Sequence, residues 1–102
     1  MKQVILTGPQ CRAARALIEW SAEQVAVRSG VAVEAILDFE VKVADPGEDA
    51  KRRLVAALED GGAVLIPENG GGLGVRLKYG QRDVRAVNKW EAEGGRAGED
   101  DV

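Results

Sequence analysis

The sequence predicts a mainly α domain of four to five short helices with a C-terminal two-stranded β-hairpin. Three observations carry that expectation. Apolar residues recur at helical spacing through the first sixty positions. Helix starts built on Thr, Ser and Asp-Pro, and stops built on Gly, cut that stretch into short segments. Past residue 61 the period changes to two, with a glycine-rich loop between two β-rich runs.

The first helix is expected over 9–20, "PQCRAARALIEW", capped by Thr7 or Gly8, with Pro9 where a missing N–H costs nothing. Cys11, Ala14, Leu17 and Ile18 make its apolar face. Ser21 opens a second helix of about 21–29, because Gln24 three residues on completes a capping box and Gly30 ends it. Val25 and Ala26 are its inward residues. The third runs from about Ala32 to Phe39, with Val31, Ile36 and Phe39 turned inward. Asp45-Pro46 starts a fourth, faced by Leu54, Val55 and Leu58 and stopped by Gly61-Gly62. "AVLI" (63–66) and "VRLKY" (75–79) are the strands, and Val64, Ile66, Val75 and Leu77 are the apolar residues expected to seat the hairpin or pair it with a second copy. In 81–102, Val84, Val87 and Trp90 form a thin stripe that suits a short helix, and "GGRAGEDDV" reads as a disordered acidic tail. The expected organisation is thus a helical unit at 1–60, a hairpin at 61–80 and a tail.

Composition excludes several classes of function. The chain has 102 residues, one cysteine and no histidine, so an internal disulfide is impossible and no metal or cofactor is expected. Acid–base chemistry would fall to carboxylates and lysines, and no pair of them is set apart, so an enzyme is not expected. No apolar run reaches membrane-spanning length and no signal-peptide pattern stands at the start, which fits a cytoplasmic protein. Charge is uneven: residues 1–30 are net basic, whereas 31–40 hold Glu34, Asp38 and Glu40 and no base. A pI near 5.0 is not the usual footprint of a nucleic-acid binder.

Helices in the order long, short, short, with Gly30 in a turn of three to four residues, describe a helix-turn-helix whose recognition helix is about 32–39. The run "LTGPQCRAARALIEWSAEQVAVRSGVAVEAILDFE" resembles the XRE family, the lambda-repressor-like Cro and phage-repressor type of DNA-binding protein. The match covers 6–40 closely and 41–60 loosely. "ALEDGGAVLIPENGGGLGVRLK" resembles the ending of many small bacterial members. The resemblance implies that Trp20, Val25, Ala26, Gly30, Val31 and Ile36 fill core and turn positions. It implies an ion pair between Arg15 and Glu40, joining the first helix to the end of the third. It implies DNA contacts at Ser21, Ala22, Ala32, Val33, Glu34, Leu37 and Asp38. Here the sequence departs from the family, which commonly has Gln at the position of Ala22 and Ser or Thr at that of Ala32. An alanine cap costs about 0.5–2 kcal/mol against serine, and Glu34 in the first turn offsets about 0.3–1 kcal/mol of that.

The outward face of the third helix also lacks the usual tools of base reading, Arg, Lys, Asn and Gln. Val33 and Leu37 can touch thymine methyls, and Glu34 or Asp38 can accept from cytosine N4. Phosphate contacts then fall to Arg12, Arg28, Lys42 and helix-start N–H groups. Three readings of this face stand: a DNA-reading surface, a surface for a protein partner, or a solvated acidic face. "KRR" (51–53) reads equally as a phosphate patch or a solvated face. "ENGGGLG" lacks the ending of a phosphate-binding loop and reads as a hairpin turn. The expected function is transcriptional regulation by binding double-stranded DNA as a homodimer. The alternative is a protein-binding module (antiactivator, antitoxin or heterodimer partner) on a helix-turn-helix frame.

Overall fold

The structure, a computed structural model, describes residues 5–78. Four helices come first: α1 (Gly8–Ile18), α2 (Ala22–Ser29), α3 (Val33–Glu40) and α4 (Glu48–Asp60). Two antiparallel strands follow, β1 (Ala63–Ile66) and β2 (Gly74–Leu77). The short helix and tail expected at 81–102, and Tyr79 of the expected second strand, lie outside the described residues.

Local chemistry explains each boundary. Thr7 caps α1: its hydroxyl accepts from the Gln10 backbone N–H, and the Gln10 side chain returns the bond to the Thr7 N–H. The helix stops at Ile18, two residues short of the expected end. Glu19 turns left-handed (φ 62°) and its N–H bonds back to the Ala16 carbonyl, which carries Trp20 off the helix. The Ser21–Gln24 capping box forms, and Gly30 (φ 77°) closes α2 in the conformation that only glycine adopts without steric cost. Ala32 is the N-cap of α3 and makes no side-chain cap bond. Helix α4 begins later than Asp45-Pro46. Gly47 caps it, held by the Asp45 carboxylate, which also accepts from Lys51 Nζ at 2.9 Å.

The core is Ile18, Val25, Ile36, Leu54, Leu58 and Cys11, all fully buried, with Val31, Phe39, Leu6 and Ala63 around them. Leu17, expected on the apolar face of α1, is instead 38% exposed. It sits at the flank of the Cys11–Ala14–Ile18 stripe, one helical step beyond its edge.

The strand register pairs Ala63 with Leu77 and Leu65 with Val75. These four share one face, and Leu65, Val75 and Leu77 pack on the core beside Ala63. Val64 and Ile66 therefore point the other way, so the four residues expected to act together are split between two faces. Gln10, buried in α1, fastens the hairpin: its Nε2 donates to the carbonyls of Ile66 (3.3 Å) and Gly74 (3.0 Å). Helix α1 also meets the end of α3 at close range. A Cβ on Gly8 would lie 2.0 Å from the Phe39 carbonyl oxygen, so glycine is what lets the two backbones touch. Among the described residues no helix is long and apolar enough to cross a membrane.

Candidate nucleic-acid interface

Glu34, Leu37, Asp38 and Val41 recur at i, i+3, i+4 and i+7, which places them along one outward ridge of α3. Leu37 is 45% and Val41 59% exposed. The chain after α3 folds back, with the Val43 N–H donating to the Asp38 carbonyl at 2.8 Å, and adds exposed Val43 near the ridge. Ile36 and Phe39 anchor the opposite side in the core. Ala32 is exposed and Val33 half-buried at the start of the helix.

The ridge is held at its far end by ionic chemistry. Arg15 Nε and Nη2 donate to the two Glu40 carboxylate oxygens, each at 2.7 Å, in a forked pair. Arg15 Nη1 also donates to the Trp20 carbonyl at 3.1 Å, so one guanidinium ties α3 to the α1–α2 junction. The Cys11 thiol donates to Glu40 Oε2 at 3.3 Å. Burial, with the Glu40 carboxylate as the next cause, pushes that thiol up to about 12. The bond to Glu40 raises the Arg15 pKa and keeps the guanidinium charged. At pH 8 the thiolate is then only about one part in ten thousand, and thiolate is the nucleophile. Native protein should therefore resist iodoacetamide for hours and take up one equivalent once unfolded in guanidinium. Rapid labelling of the native chain, read by mass spectrometry, would contradict the buried Cys11–Glu40 contact.

The sequence-expected residues fall into three groups. Ala32, Val33, Glu34, Leu37 and Asp38 all belong to the α3 surface. Ser21 is exposed, but its hydroxyl accepts the Gln24 N–H and serves as the cap of α2. Ala22 is a correction: it is buried, on the same inward side as Val25 and Ser29, and its methyl offers no surface to a ligand. Arg28 and Lys42 line separate grooves. Arg28 lies over the Trp20 ring, 4.7 Å from its centroid, in a groove shared with Glu23, Gln24 and Val27. Lys42 (φ 65°) lines a different groove of about 360 Å³, with Pro9, Ala13, Leu73 and Val75 among its walls. No residue lines both. Arg12 is exposed on α1. Of the 51–53 triplet, Lys51 is buried and bonded to Asp45, while Arg53 pairs with Asp49 and reaches the Gly30 carbonyl at 3.4 Å.

Val41 and Val43 were not anticipated as part of this surface. Val41 had a legible signal, since it continues the 34–37–38 spacing by one turn; Val43 had none, because only the folded-back chain brings it there. Among the described residues no group of His, Cys, Asp and Glu could hold a metal ion. No protein-family model matches the chain, and no curated protein matches it.

Proposed function

We propose that α2, the Gly30 turn and α3 form a helix-turn-helix that binds double-stranded DNA, and that the protein is a bacterial, cytoplasmic transcriptional regulator of XRE type. The observation that carries this reading is the build of the turn. Two eight-residue helices are joined through left-handed Gly30 and buried Val31, and the second keeps a whole outward ridge exposed. A single helix ridge is what the major groove admits. The uncapped start of α3 adds backbone N–H groups that can donate to a phosphate. Affinity is then weak, because the ridge itself is acidic and, among the described residues, the cation contacts expected are those of Arg12, Arg28 and Lys42. One half-site gives little affinity, which favours a homodimer. Among the described residues no third strand pairs with the hairpin, so its edges and the outward pair Val64 and Ile66 offer a place for the second copy.

Fluorescence anisotropy with DNA from around its own gene tests this. Log affinity should fall linearly with log salt, with a slope of about −0.9 per phosphate neutralised. Arg12→Glu with Arg28→Glu should abolish the signal, and Leu37→Ala should only weaken it. A flat anisotropy trace at low salt would overturn the DNA reading.

One observation favours the second reading, a protein-binding module. Leu37, Val41 and Val43 stay exposed beside Glu34 and Asp38, with no base on the ridge. That reading expects no DNA binding at low salt and a stoichiometric protein partner lost on Leu37→Asp.

A further inference from the structure

We propose that the groove between the start of α1, Lys42 and the start of β2 binds a small amphipathic monocarboxylate, one acid group on an apolar body. The groove holds about 360 Å³, at the lower end of the ~300–1,000 Å³ typical of small-molecule sites. Its walls are largely apolar, with Pro9 and Ala13 from α1 and Leu73 and Val75 from the hairpin. Leu73 is 40% exposed there. The neutral polar groups at the groove already have partners. The Gln10 amide is taken up by the Thr7 N–H and by the Ile66 and Gly74 carbonyls, and the Thr7 hydroxyl accepts from the Gln10 N–H. No carboxylate stands among the lining residues, so Lys42 supplies the one charge of the groove. One cation beside apolar walls matches one negative charge on an apolar body. A phosphate dianion would be left without the further donors that its oxygens need.

The backbone of Lys42 points the same way. Its φ of 65° is left-handed, a conformation that glycine adopts freely and lysine only at a cost. Lys42 makes no ion pair among the described residues that would offset this. The strain is thus held where an uncommitted ammonium lines an apolar groove. Lys42 also closes α3, because its N–H donates to the Phe39 carbonyl at 3.1 Å. A bound carboxylate would therefore take up one of the three cations that the DNA reading gives to phosphates. That consequence rests on the DNA reading above, whereas the binding itself does not. On that reading, saturating the groove should make the salt slope shallower by about 0.9, the share of one phosphate contact.

The test titrates octanoate into the full-length chain and follows its amide spectra. Saturable shifts are expected at Ala13, Leu73, Gly74 and Val75, with Val25 and Leu58 in the core unmoved. Octanol, of equal length but without the charge, should bind about fivefold more weakly, the upper worth of an ion pair open to solvent. Lys42→Gln should weaken octanoate by the same factor and leave octanol unchanged. Lys42→Gly separates binding from folding. It should melt no lower than the wild type, since glycine relieves the left-handed backbone, and still lose the same factor. Ala13→Phe should fill the groove and abolish saturation by both probes. Shifts that never saturate, or that scatter over the whole surface, would overturn the site. So would octanol binding as tightly as octanoate, or a Lys42→Gln variant that keeps the wild-type affinity. If the chain binds DNA, an unchanged salt slope with the groove saturated would overturn the link to DNA. If it binds none, the DNA reading fails while the octanoate titration still decides the site.

Discussion

Glu40→Ala is expected to cost about 3–5 kcal/mol, the loss seen when one partner of a buried ion pair is removed. A small domain holds only about 5–15 kcal/mol in total, so the variant should sit near its unfolding threshold. The side chain of Glu40 is 2% exposed and receives three donors, two from Arg15 and one from Cys11. Truncation leaves the Arg15 guanidinium, only 18% exposed, facing a cavity with its carboxylate gone. Urea melts should show a lower midpoint at an unchanged slope. Replacing both partners, Arg15→Met with Glu40→Leu, should recover most of the loss, because neither ion then has to be desolvated. A single variant as stable as the wild type would mean that the pair does not hold α3.

Gly8→Ala is expected to cost about 3 kcal/mol, at the upper end of overpacking because the obstacle is backbone. The new Cβ would stand 2.0 Å from the Phe39 carbonyl oxygen and 2.9 Å from its carbon. No rotamer relieves that contact; α1 and the end of α3 must part. Helix propensity works in the opposite direction but by less than the ~1 kcal/mol of a helix interior, since Gly8 is the first residue after the Thr7 cap. The sign of the result therefore decides which effect dominates. A fall in Tm of more than about 10 °C is expected for a domain of this size, and an unchanged or raised Tm would show that the interhelical gap opens freely. Because the ridge lies on the helix that would shift, the same variant should also disturb whatever the ridge binds.

Much of this architecture is legible in the chain itself. Capping boxes at Thr7–Gln10 and Ser21–Gln24, the glycine stop at Gly30 and the change of period after Gly62 are local signals, and local signals survive without tertiary knowledge. The Arg15–Glu40 pair was reached through family resemblance, and the two side chains do meet. What stayed hidden depends on partners distant in sequence. The closeness of Gly8 to Phe39 leaves no trace in either residue's type. The split of Val64 and Ile66 from Val75 and Leu77 needed the strand register, which a glycine-rich loop does not fix in advance. Ala22 was legible after all. It stands three and seven residues before Val25 and Ser29, on the buried stripe of α2, and the family's contact pattern obscured that simpler reading. The α3 surface was legible as a face, because the i, i+3, i+4 spacing of Glu34, Leu37 and Asp38 is a local signal.

The Gln10 amide sets an order of events. Its two bonds to the hairpin close loops of 56 and 64 residues, whereas its cap to Thr7 spans three. Loop-closure entropy rises with length, so the cap can form early and the clasp must wait until the helices between have assembled. The hairpin should then be the last part of the domain to acquire protection from hydrogen exchange during refolding, and the first to lose it.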